Sequence, residues 1–291
     1  MKNFYLKYKN YLDTVEKELK KYSFECVGKQ KKLFESVNYS LLAGGKRLRP
    51  VMLVSACEMA GGDVFSALPF AIGLEMVHCS SLIHDDLPAM DDDDLRRGKP
   101  TNHKVYGEAT AILAGDTLLV RPFEVMAANC ETKEQIKAMK IIAVAAGADG
   151  MMGGQQIDLD SENKDVDEET IIKLNALKTG ALFKAAIVAG VTLAGADEEK
   201  IAAAEVYGDN FGIAFQLVDD LIDNDPNVDT GKTKGSDIEK NKSTYLAIYG
   251  REKCLDIINE CTKKAENSLG VFGDKAEFLK DMLKFITSKI R

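Results

Sequence analysis

An acidic run extends from Leu82 to Lys99 and reads LIHDDLPAMDDDDLRRGK. Six of the ten residues at positions 85–94 are aspartates, and three of the next five residues are basic. Carboxylates packed this closely repel one another unless cations lie between them. Their oxygens suit Mg²⁺, Mn²⁺ or Ca²⁺, and the basic residues suit an anion, such as a diphosphate, that those cations also bind. The run therefore predicts a metal and diphosphate site, with a solvated acidic loop as the alternative.

A second aspartate cluster reads FQLVDDLID and favours the metal interpretation. On a helix its residues Asp219 and Asp223 are four positions apart and share one face. In the first run, Asp85 and Asp91 are six positions apart, so a straight helix would place them on different faces. Pro88 lies between them and can end the helix. The chain can then fold back, so that both carboxylates reach one ion.

Basic residues accompany both acidic clusters. The sequence GKTKGSDIEKNKSTY follows the second cluster, and its Lys232 and Lys242 lie in or beside a glycine-containing loop that could cradle a phosphate. Lys46 and Arg49 add a third basic group at a predicted helix start, where backbone N–H groups also favour anions. Lys178 lies in the middle of a predicted helix, and it either reaches the surface or points inward.

The composition narrows the class of protein. The chain has 291 residues, of which 45% are hydrophobic and 29% charged, and its formal net charge is −8. A nucleic-acid binder would be basic, so no nucleic-acid partner is expected. The six cysteines form no C-x-x-C pair, which argues against zinc and against a disulfide-rich secreted domain. Without a signal-peptide core or an uncharged apolar stretch long enough to span a bilayer, the sequence predicts a soluble, cytoplasmic protein.

Apolar residues recur every three or four positions along almost the whole chain, which is typical of helices. No alternating pattern or hairpin signal predicts a strand. Pro122 lies inside one periodic segment and predicts a kink or break there. The sequence therefore predicts one all-α domain over residues 1–291, with roughly ten or more helices. The expected helices cover residues 4–22, 31–42, 46–60, 65–86, 107–129, 132–158, 167–194, 198–223, 242–248, 253–268 and 275–290.

Several common kinds of chemistry find no support in the sequence. The three histidines, His78, His84 and His103, have no serine or cysteine in a recognisable nucleophile context. No G-x-G-x-x-G motif or P-loop predicts a nucleotide cofactor. His78 lies seven residues before Asp85, two turns along the same helix face, so a structural role and a binding role are equally open. The remaining interpretation is a metal-held diphosphate in a helical, apolar cavity.

Several motifs together resemble those of the trans-isoprenyl diphosphate synthases, the short-chain group that includes farnesyl and geranylgeranyl diphosphate synthases. They lie in the expected order between Gly44 and Tyr245. The motifs are GGKRLRP, SLIHDDLPAMDDDDLRRGKPTNHKVYGE, LAGD, KTG, FQLVDDLID, GK-x-x-GSD and NKSTY. The resemblance implies the isoprenoid synthase fold around a central cavity. It also implies a homodimer, and three Mg²⁺ ions that Mn²⁺ can replace.

The resemblance further implies a role for each motif residue. The implied metal ligands are Asp85, Asp86, Asp91, Asp219 and Asp223, with Asp220 nearby. The implied ligands of the allylic diphosphate are Arg96, Lys178, Lys232 and Lys242. The implied ligands of isopentenyl diphosphate are Lys46, Arg49, His78 and Arg97. Thr179 and Gln216 would face the allylic cation and, with Lys178 and the aspartates, complete the catalytic set.

The implied reaction joins isopentenyl diphosphate to an allylic diphosphate. Metal ions and basic side chains would stabilise the departing pyrophosphate, and the isopentenyl double bond would attack the allylic cation that remains. A proton would then pass to the pyrophosphate, so no protein base is required. Apolar helix walls would keep water away from the cation.

Product length is expected to depend on the residues before the first aspartate. The position five residues before Asp85 is Ser80, where farnesyl-making relatives usually carry a bulky aromatic residue. Because Ser80 and Ser81 are small, the cavity floor that would stop elongation near C15 is expected to be missing. We therefore expect C20 geranylgeranyl diphosphate as a major product, with C15 close behind. The alternative is that another helix, such as the one containing Pro122, supplies the floor.

Three other classes of protein are alternatives to a synthase. A terpene cyclase shares the fold and the first aspartate cluster, but it would not need two diphosphate sites. A non-catalytic subunit of a heteromeric synthase would tend to lose aspartates, which this chain retains. A calcium-binding structural protein would be expected to carry a D-x-[DN]-x-[DN]-G loop, which this sequence lacks.

Overall fold

The computed structural model describes residues 2–224 and 244–290. Within these ranges the chain is helical apart from turns and one very short strand pair, which confirms the all-α prediction. The helices are α1 (Lys2–Lys21), α2 (Lys31–Leu41), α3 (Leu48–Met59), α4 (Val64–Asp85), α5 (Asn102–Tyr106), α6 (Glu108–Ala127), α7 (Lys133–Ala146), α8 (Met151–Ser161), α9 (Glu168–Asn175), α10 (Ala181–Leu193), α11 (Glu198–Asp223), α12 (Tyr245–Ser268) and α13 (Glu277–Thr287). A π-helical turn, Ala176–Gly180, joins α9 to α10, and 3₁₀ turns cover Leu269–Ala276 and Ser288–Ile290.

Three helices that are apolar on every side form the centre of the fold. Every residue is buried at positions 50–57 in α3, 67–77 in α4 and 185–192 in α10. A helix without a polar face is stable in water only when other elements surround it. The buried residues of these and the outer helices belong to one continuous hydrophobic cluster. The single-domain interpretation stays a prediction, which this continuous core supports.

The expectation of no strands is wrong at one place. Strands β1 (Leu95–Arg96) and β2 (Lys99–Pro100) pair in antiparallel fashion directly after the acidic run. The two residues between them, Arg97 and Gly98, have φ values of 54° and 73°. Positive φ at both central residues is the requirement of the tightest hairpin turns. In the sequence, the Arg97-Gly98 pair is the signal that could have predicted this turn. The hairpin matters for the site because it carries Arg96 and Arg97.

Two predicted helix boundaries are also wrong. The helix expected over residues 132–158 is divided, because α7 ends before Gly147, whose backbone is extended with ψ −161°. Of the kink or break expected at Pro122, the break does not occur, since α6 continues to Ala127 with the proline buried inside it. A proline inside a helix costs about 3 kcal/mol relative to alanine. Burial of its ring in the core offsets part of that cost.

The two helices expected over residues 242–248 and 253–268 merge in α12, which is interrupted at Gly250 with φ 70° and ψ 167°. The start of the first of them lies outside the described residues. The last expected helix, over residues 275–290, has α13 at its centre, flanked by 3₁₀ turns.

Two helices reach the length and apolar composition of a membrane span, which the sequence reasoning did not expect. They are α4 and the continuous helix Glu168–Leu193 that contains α9 and α10. Their most apolar windows are 78% and 61% buried inside the fold. Such burial is typical of core helices rather than of helices that face lipid.

The first and last described helices pack together through aromatic rings. Phe4 of α1 stacks on Phe278 of α13 at 5.3 Å between ring centroids, and Phe285 lies 5.5 Å away. Tyr11, two turns further along α1, meets Phe278 edge to face at 5.0 Å. Aromatic pairs at these distances stabilise a contact beyond the area that they bury. They hold the carboxyl-terminal helix against the amino-terminal one.

Replacing Phe4 with alanine should lower the free energy of unfolding by about 3 kcal/mol, because a buried phenyl ring is lost from this contact. Phe4 is only 3% exposed. Leu6→Ala is the matched control, since Leu6 on the same helix is 63% exposed and its loss should change stability by less than about 0.5 kcal/mol. Urea unfolding followed by circular dichroism measures both variants. Equal effects of the two substitutions would contradict the packing argument.

Candidate active site

The acidic run begins where α4 ends. Asp85 is the last residue of α4 and Asp86 its C-cap, and the exposed Pro88 lies in the turn that follows. The backbone N–H of Asp91 donates to the carbonyl of Asp85 at 2.8 Å. The chain therefore folds back as the sequence predicts, and it brings these two aspartates, six residues apart, next to each other.

The second aspartate of the motif has a different environment. Asp86 is buried, and its Oδ1 accepts a hydrogen bond from the Nε of Arg96 at 2.6 Å, with the Nη2 of the same arginine 2.6 Å away as an ion pair. The Nη2 of Arg96 also contacts Asp93 at 3.2 Å. Burial raises the pKa of Asp86 to about 6, although Arg96 acts in the opposite direction. Asp86 thus fixes Arg96 on the hairpin, and a diphosphate would have to share that arginine with two carboxylates.

The loop before α3 has an unusual backbone that gathers basic side chains. Gly44, Gly45 and Arg47 have φ values of 81°, 130° and 46°. Arg97 of the hairpin packs directly on Gly45, where a Cβ atom would lie 2.7 Å from its Cζ, and its Nη1 donates to the carbonyl of Gly44. Glycine is the residue that tolerates both the positive φ and this close approach. The loop therefore holds Arg97 beside the exposed Lys46.

Arg49 lies in the first turn of α3 and joins that helix to α4. Its Nη1 donates to the Nε2 of His78 at 3.3 Å, and its guanidinium carbon lies 4.1 Å from the ring centre of Phe183. Burial and the nearby charges of Arg49 and Arg97 hold the pKa of His78 well below its ordinary value, so the ring is a neutral acceptor. Among the residues that the structure describes, the buried Nε of Arg49 has no hydrogen-bond partner. A buried donor of this kind fits an incoming anion.

The π-helical turn carries the Lys-Thr pair of the KTG motif. The Nζ of Lys178 lies 2.5 Å from a carboxylate oxygen of Asp158 on α8. The hydroxyl of Thr179 donates to the Oε1 of Gln216 on α11 at 2.8 Å. Single π-helical turns inside α-helices are frequent at functional sites. The structure thus brings together Thr179 and Gln216, which sequence reasoning assigned to the same role.

Gln216 also forms a hydrogen bond with the second aspartate cluster. Its amide nitrogen donates to Asp220 at 2.9 Å, and the other carboxylate oxygen of Asp220 accepts from the backbone N–H of Tyr245 at 3.1 Å. Asp220 is therefore buried in a hydrogen-bonded position between α11 and the start of α12. Asp219 and Asp223 lie four residues apart on one face at the carboxyl end of α11.

Two glycines allow neighbouring helices to approach the π-helical turn closely. A Cβ atom on Gly154 of α8 would lie 2.2 Å from the backbone nitrogen of Lys178. One on Gly212 of α11 would lie 2.8 Å from the Cα of Gly180. Both distances are too short for any real side chain, so α8 and α11 press on the turn from two directions. Their contact determines where Lys178 and Thr179 lie.

Two charged residues of the site were missed by the sequence reasoning. Asp158 pairs with Lys178, and the signal for it was the sequence GGQQID that ends at this aspartate. Lys289, close to the end of the chain, lies beside Lys46, and burial together with that neighbour lowers its pKa to about 8. The negative charge of Asp219 acts to raise the pKa of Lys289 and the pKa of Arg49. No local motif marks Lys289, because only the packing of α13 brings it here.

The remaining predicted residues fall into two groups. Lys232 and Lys242 lie outside the described residues. Ser80 and Ser81 lie on α4, where Ser80 is 2% exposed and its hydroxyl donates to the carbonyl of Gly115 on α6 at 2.8 Å. Ser81 is only partly buried, and its hydroxyl donates to the carbonyl of His78 at 2.8 Å.

The chemistry of the donor set fits a hard divalent cation. Asp85, Asp91, Asp219 and Asp223 offer carboxylate oxygens, which Mg²⁺ and Mn²⁺ prefer. Within residues 2–224 and 244–290, no three histidine, cysteine or acidic side chains are gathered closely enough to hold an ion by themselves. Mg²⁺ usually takes only one or two protein carboxylates and completes its coordination with phosphate and water. The aspartate pair at positions 85 and 91 matches that pattern.

Aspartates at the ends of two helices, with basic side chains supplied by the hairpin, the loop before α3 and the π-helical turn, define a candidate site for diphosphates. The family model described as polyprenyl synthetase matches residues 30–277. The chain is 43% identical to a geranylgeranyl diphosphate synthase of Cyanophora paradoxa over 262 residues, 88% of this chain and 87% of that protein. It is 39% identical to a farnesyl diphosphate synthase of Micrococcus luteus over 263 residues, 89% of this chain and 90% of that protein.

Solved structures show the same similarity. An FPP/GFPP synthase from Zymomonas mobilis superposes with a TM-score of 0.87 at 33% identity, over 98% of both chains. A geranyltransferase from Helicobacter pylori, complexed with magnesium and isoprenyl diphosphate, superposes with a TM-score of 0.85 at 28% identity, over 97% of this chain and 96% of that one. The chain belongs to the polyprenyl synthetase family. Within that family it is a prenyltransferase of the farnesyl and geranylgeranyl diphosphate synthase group.

The glycine contacts of the π-helical turn predict a specific loss of activity. Gly212→Ala should lower prenyl transfer by about 10²-fold, because a displacement of about 1 Å in positioning groups is enough for such a loss. The helical circular dichroism should be unchanged. Gly270→Ala is the matched control, since a Cβ atom there meets nothing within 4 Å. Wild-type turnover in the Gly212 variant would show that the close contact does not position Lys178 and Thr179.

Proposed function

We propose that the protein condenses isopentenyl diphosphate with allylic diphosphates and releases pyrophosphate. Dimethylallyl, geranyl and farnesyl diphosphate are the proposed allylic substrates, and farnesyl (C15) and geranylgeranyl (C20) diphosphate the proposed products. The observation that carries this proposal is the arrangement along α4. Asp85 ends the helix. Two turns earlier, on the same face, His78 accepts a hydrogen bond from Arg49. A rise of 1.5 Å per residue separates the two groups by roughly 10 Å along the axis, which suits two diphosphates bound side by side.

The proposed division of the site follows from its charges. Asp85, Asp91, Asp219 and Asp223 would hold Mg²⁺, which neutralises the departing pyrophosphate when bound. The Helicobacter pylori relative, whose structure contains magnesium and isoprenyl diphosphate, supports a magnesium site of this kind. Arg96 and Lys178, with Lys232 and Lys242, would bind the allylic diphosphate. Lys46, Arg49, His78 and Arg97 would bind isopentenyl diphosphate.

The chain's own groups would act on the reacting carbons by position and charge. The Oε1 of Gln216, already oriented by Thr179 and Asp220, would lie toward the allylic cation and stabilise it. The isopentenyl double bond would then attack that cation, and the released proton would pass to pyrophosphate. Walls from the apolar helices would exclude water, which would otherwise quench the cation.

We further propose a cytoplasmic homodimer. All six cysteines lie in the described part of the chain and are free thiols, which suits a reducing compartment. On α6 the apolar side chains of Ile112, Leu113 and Val120 are exposed. An exposed apolar stripe on a core helix is typical of a protein interface, and it supports a second copy packed on α6.

The direct test is incubation with isopentenyl diphosphate and each of the C5, C10 and C15 allylic diphosphates, followed by sizing of the products. With Mg²⁺ or Mn²⁺ present, C15 and C20 products and pyrophosphate are expected. Excess chelator should abolish the reaction, because the carboxylates cannot bind a diphosphate without cations between the charges. Asp85→Asn and Asp219→Asn should lower turnover by about 10³-fold. Full activity under chelation would exclude the metal-dependent mechanism.

Product length is tested at Ser81 as well as at Ser80. Ser81 lies one helical turn before Asp85 on the same face, roughly 6 Å along the axis. Ser81→Phe should therefore shorten the product toward C15 without abolishing turnover. Ser80→Tyr is the comparison, because its ring would have to enter the contact with Gly115 and should lower thermal stability. An unchanged product distribution in both variants would place the cavity floor on another helix.

A further inference from the structure

Between Lys46 of the loop and Arg49 of α3 lies an inward-pointing arginine, Arg47. The side chain of Arg47 is fully buried, and each nitrogen of its guanidinium has a different partner. Its Nε donates to Glu16 of α1 at 2.8 Å, its Nη1 to Glu75 of α4 at 2.7 Å, and its Nη2 to the carbonyl of Leu41 in α2 at 2.7 Å. One side chain therefore ties the loop to three helices.

The spacing of these contacts fixes the orientation of the neighbouring residues. Arg47 is the N-cap of α3 and Arg49 lies in its first turn, and they bind Glu75 and His78, which are three residues apart on one face of α4. Arg47 is also in the left-handed backbone region, with φ 46° and ψ 39°. A left-handed residue other than glycine persists when its surroundings hold it in place. The guanidinium contacts of Arg47 supply that restraint and direct Lys46 to the opposite, exposed side of the loop.

Glu75 contributes a buried negative charge beneath the basic group. It is 1% exposed, and its charge acts on Arg49 and on Arg97 as well as on Arg47. Lys46, Arg49 and Arg97 repel one another, so a nearby carboxylate is needed to keep them together before a diphosphate arrives. A buried ion pair contributes little net stability compared with well-packed apolar residues of similar volume. The Arg47–Glu75 pair matters here because it orients the neighbouring basic side chains.

We infer that Arg47, through its pair with Glu75, is a positioning residue for the basic group that binds isopentenyl diphosphate. Arg47 does not touch the substrate; it holds the loop so that Lys46, Arg49 and Arg97 converge on one diphosphate. This inference rests on the proposed function, because it assigns the group to isopentenyl diphosphate. It goes beyond the sequence motif, in which Arg47 differs in no visible way from its basic neighbours.

The variant Arg47→Lys tests the inference, because lysine keeps the charge but lacks the planar fork that binds three partners at once. We expect the KM for isopentenyl diphosphate to rise by about tenfold or more, while kcat and the KM for the allylic diphosphate change by less than about threefold. Arg49→Ala serves as the positive control for loss of that substrate's binding. Equal increases in both KM values would show a general structural role and overturn the inference.

A double-mutant cycle with Glu75→Gln shows whether Arg47 acts through Glu75. Glutamine keeps the volume and one acceptor oxygen, so this variant also carries the test if Arg47→Lys does not fold. Glu75→Gln alone should raise the KM for isopentenyl diphosphate, and the double variant should be no worse than Arg47→Lys. A lower KM in Glu75→Gln would mean that Glu75 acts by charge alone, which contradicts positioning.

Glu58→Gln is the control for loss of stability. It removes a carboxylate that binds Lys7 and Tyr11 between α1 and α3, away from Arg47. It should lower Tm with both KM values unchanged, and a rise in the KM for isopentenyl diphosphate here would count against the inference. Absence of prenyl transfer by the wild type would refute the proposed function. An active wild type with an unchanged KM in Arg47→Lys would refute this inference alone.

Discussion

The burial of positions 67–77 of α4 on every side is the constraint on which the site depends. A helix surrounded by α3, α6 and α10 cannot turn or slide without breaking close packing. Its polar residues are therefore fixed relative to one another, from Glu75 through His78 to Asp85. The loop before α3 and the hairpin both bind to this helix. The acidic and the basic groups of the site are thus positioned by the same helix.

Sequence periodicity was sufficient for most helices, because their apolar faces must be buried wherever they pack. It could not place the π-helical turn, since that conformation depends on the approach of Gly154 and Gly212 from helices distant in sequence. The hairpin at Arg97 and Gly98 was missed because two-residue strands carry no alternation to detect. The motifs predicted Asp85 and Asp91 as neighbours, and the fold-back at Pro88 brings them together.

The sequence also could not predict the direction in which each aspartate side chain points. Asp85 and Asp86 are adjacent in one motif, yet Asp86 is buried against Arg96 while Asp85 ends the helix beside Asp91. Asp219 and Asp220 differ in the same way, because Asp220 binds Gln216 and the start of α12. A motif gives the order of such residues. Only the packing of helices decides which carboxylate of each pair is buried against its neighbours and which is partly exposed.

The stacking of Phe4 on Phe278 has a practical consequence for handling the protein. This contact brings the turn after α13 to the loop before α3, so that Lys289 lies beside Lys46. A purification tag fused after Arg291 would begin three residues beyond Lys289. An added polyhistidine segment there would place extra donors and metal ligands beside Lys46. Tags are better fused to the amino terminus, with a cleavable linker before α1.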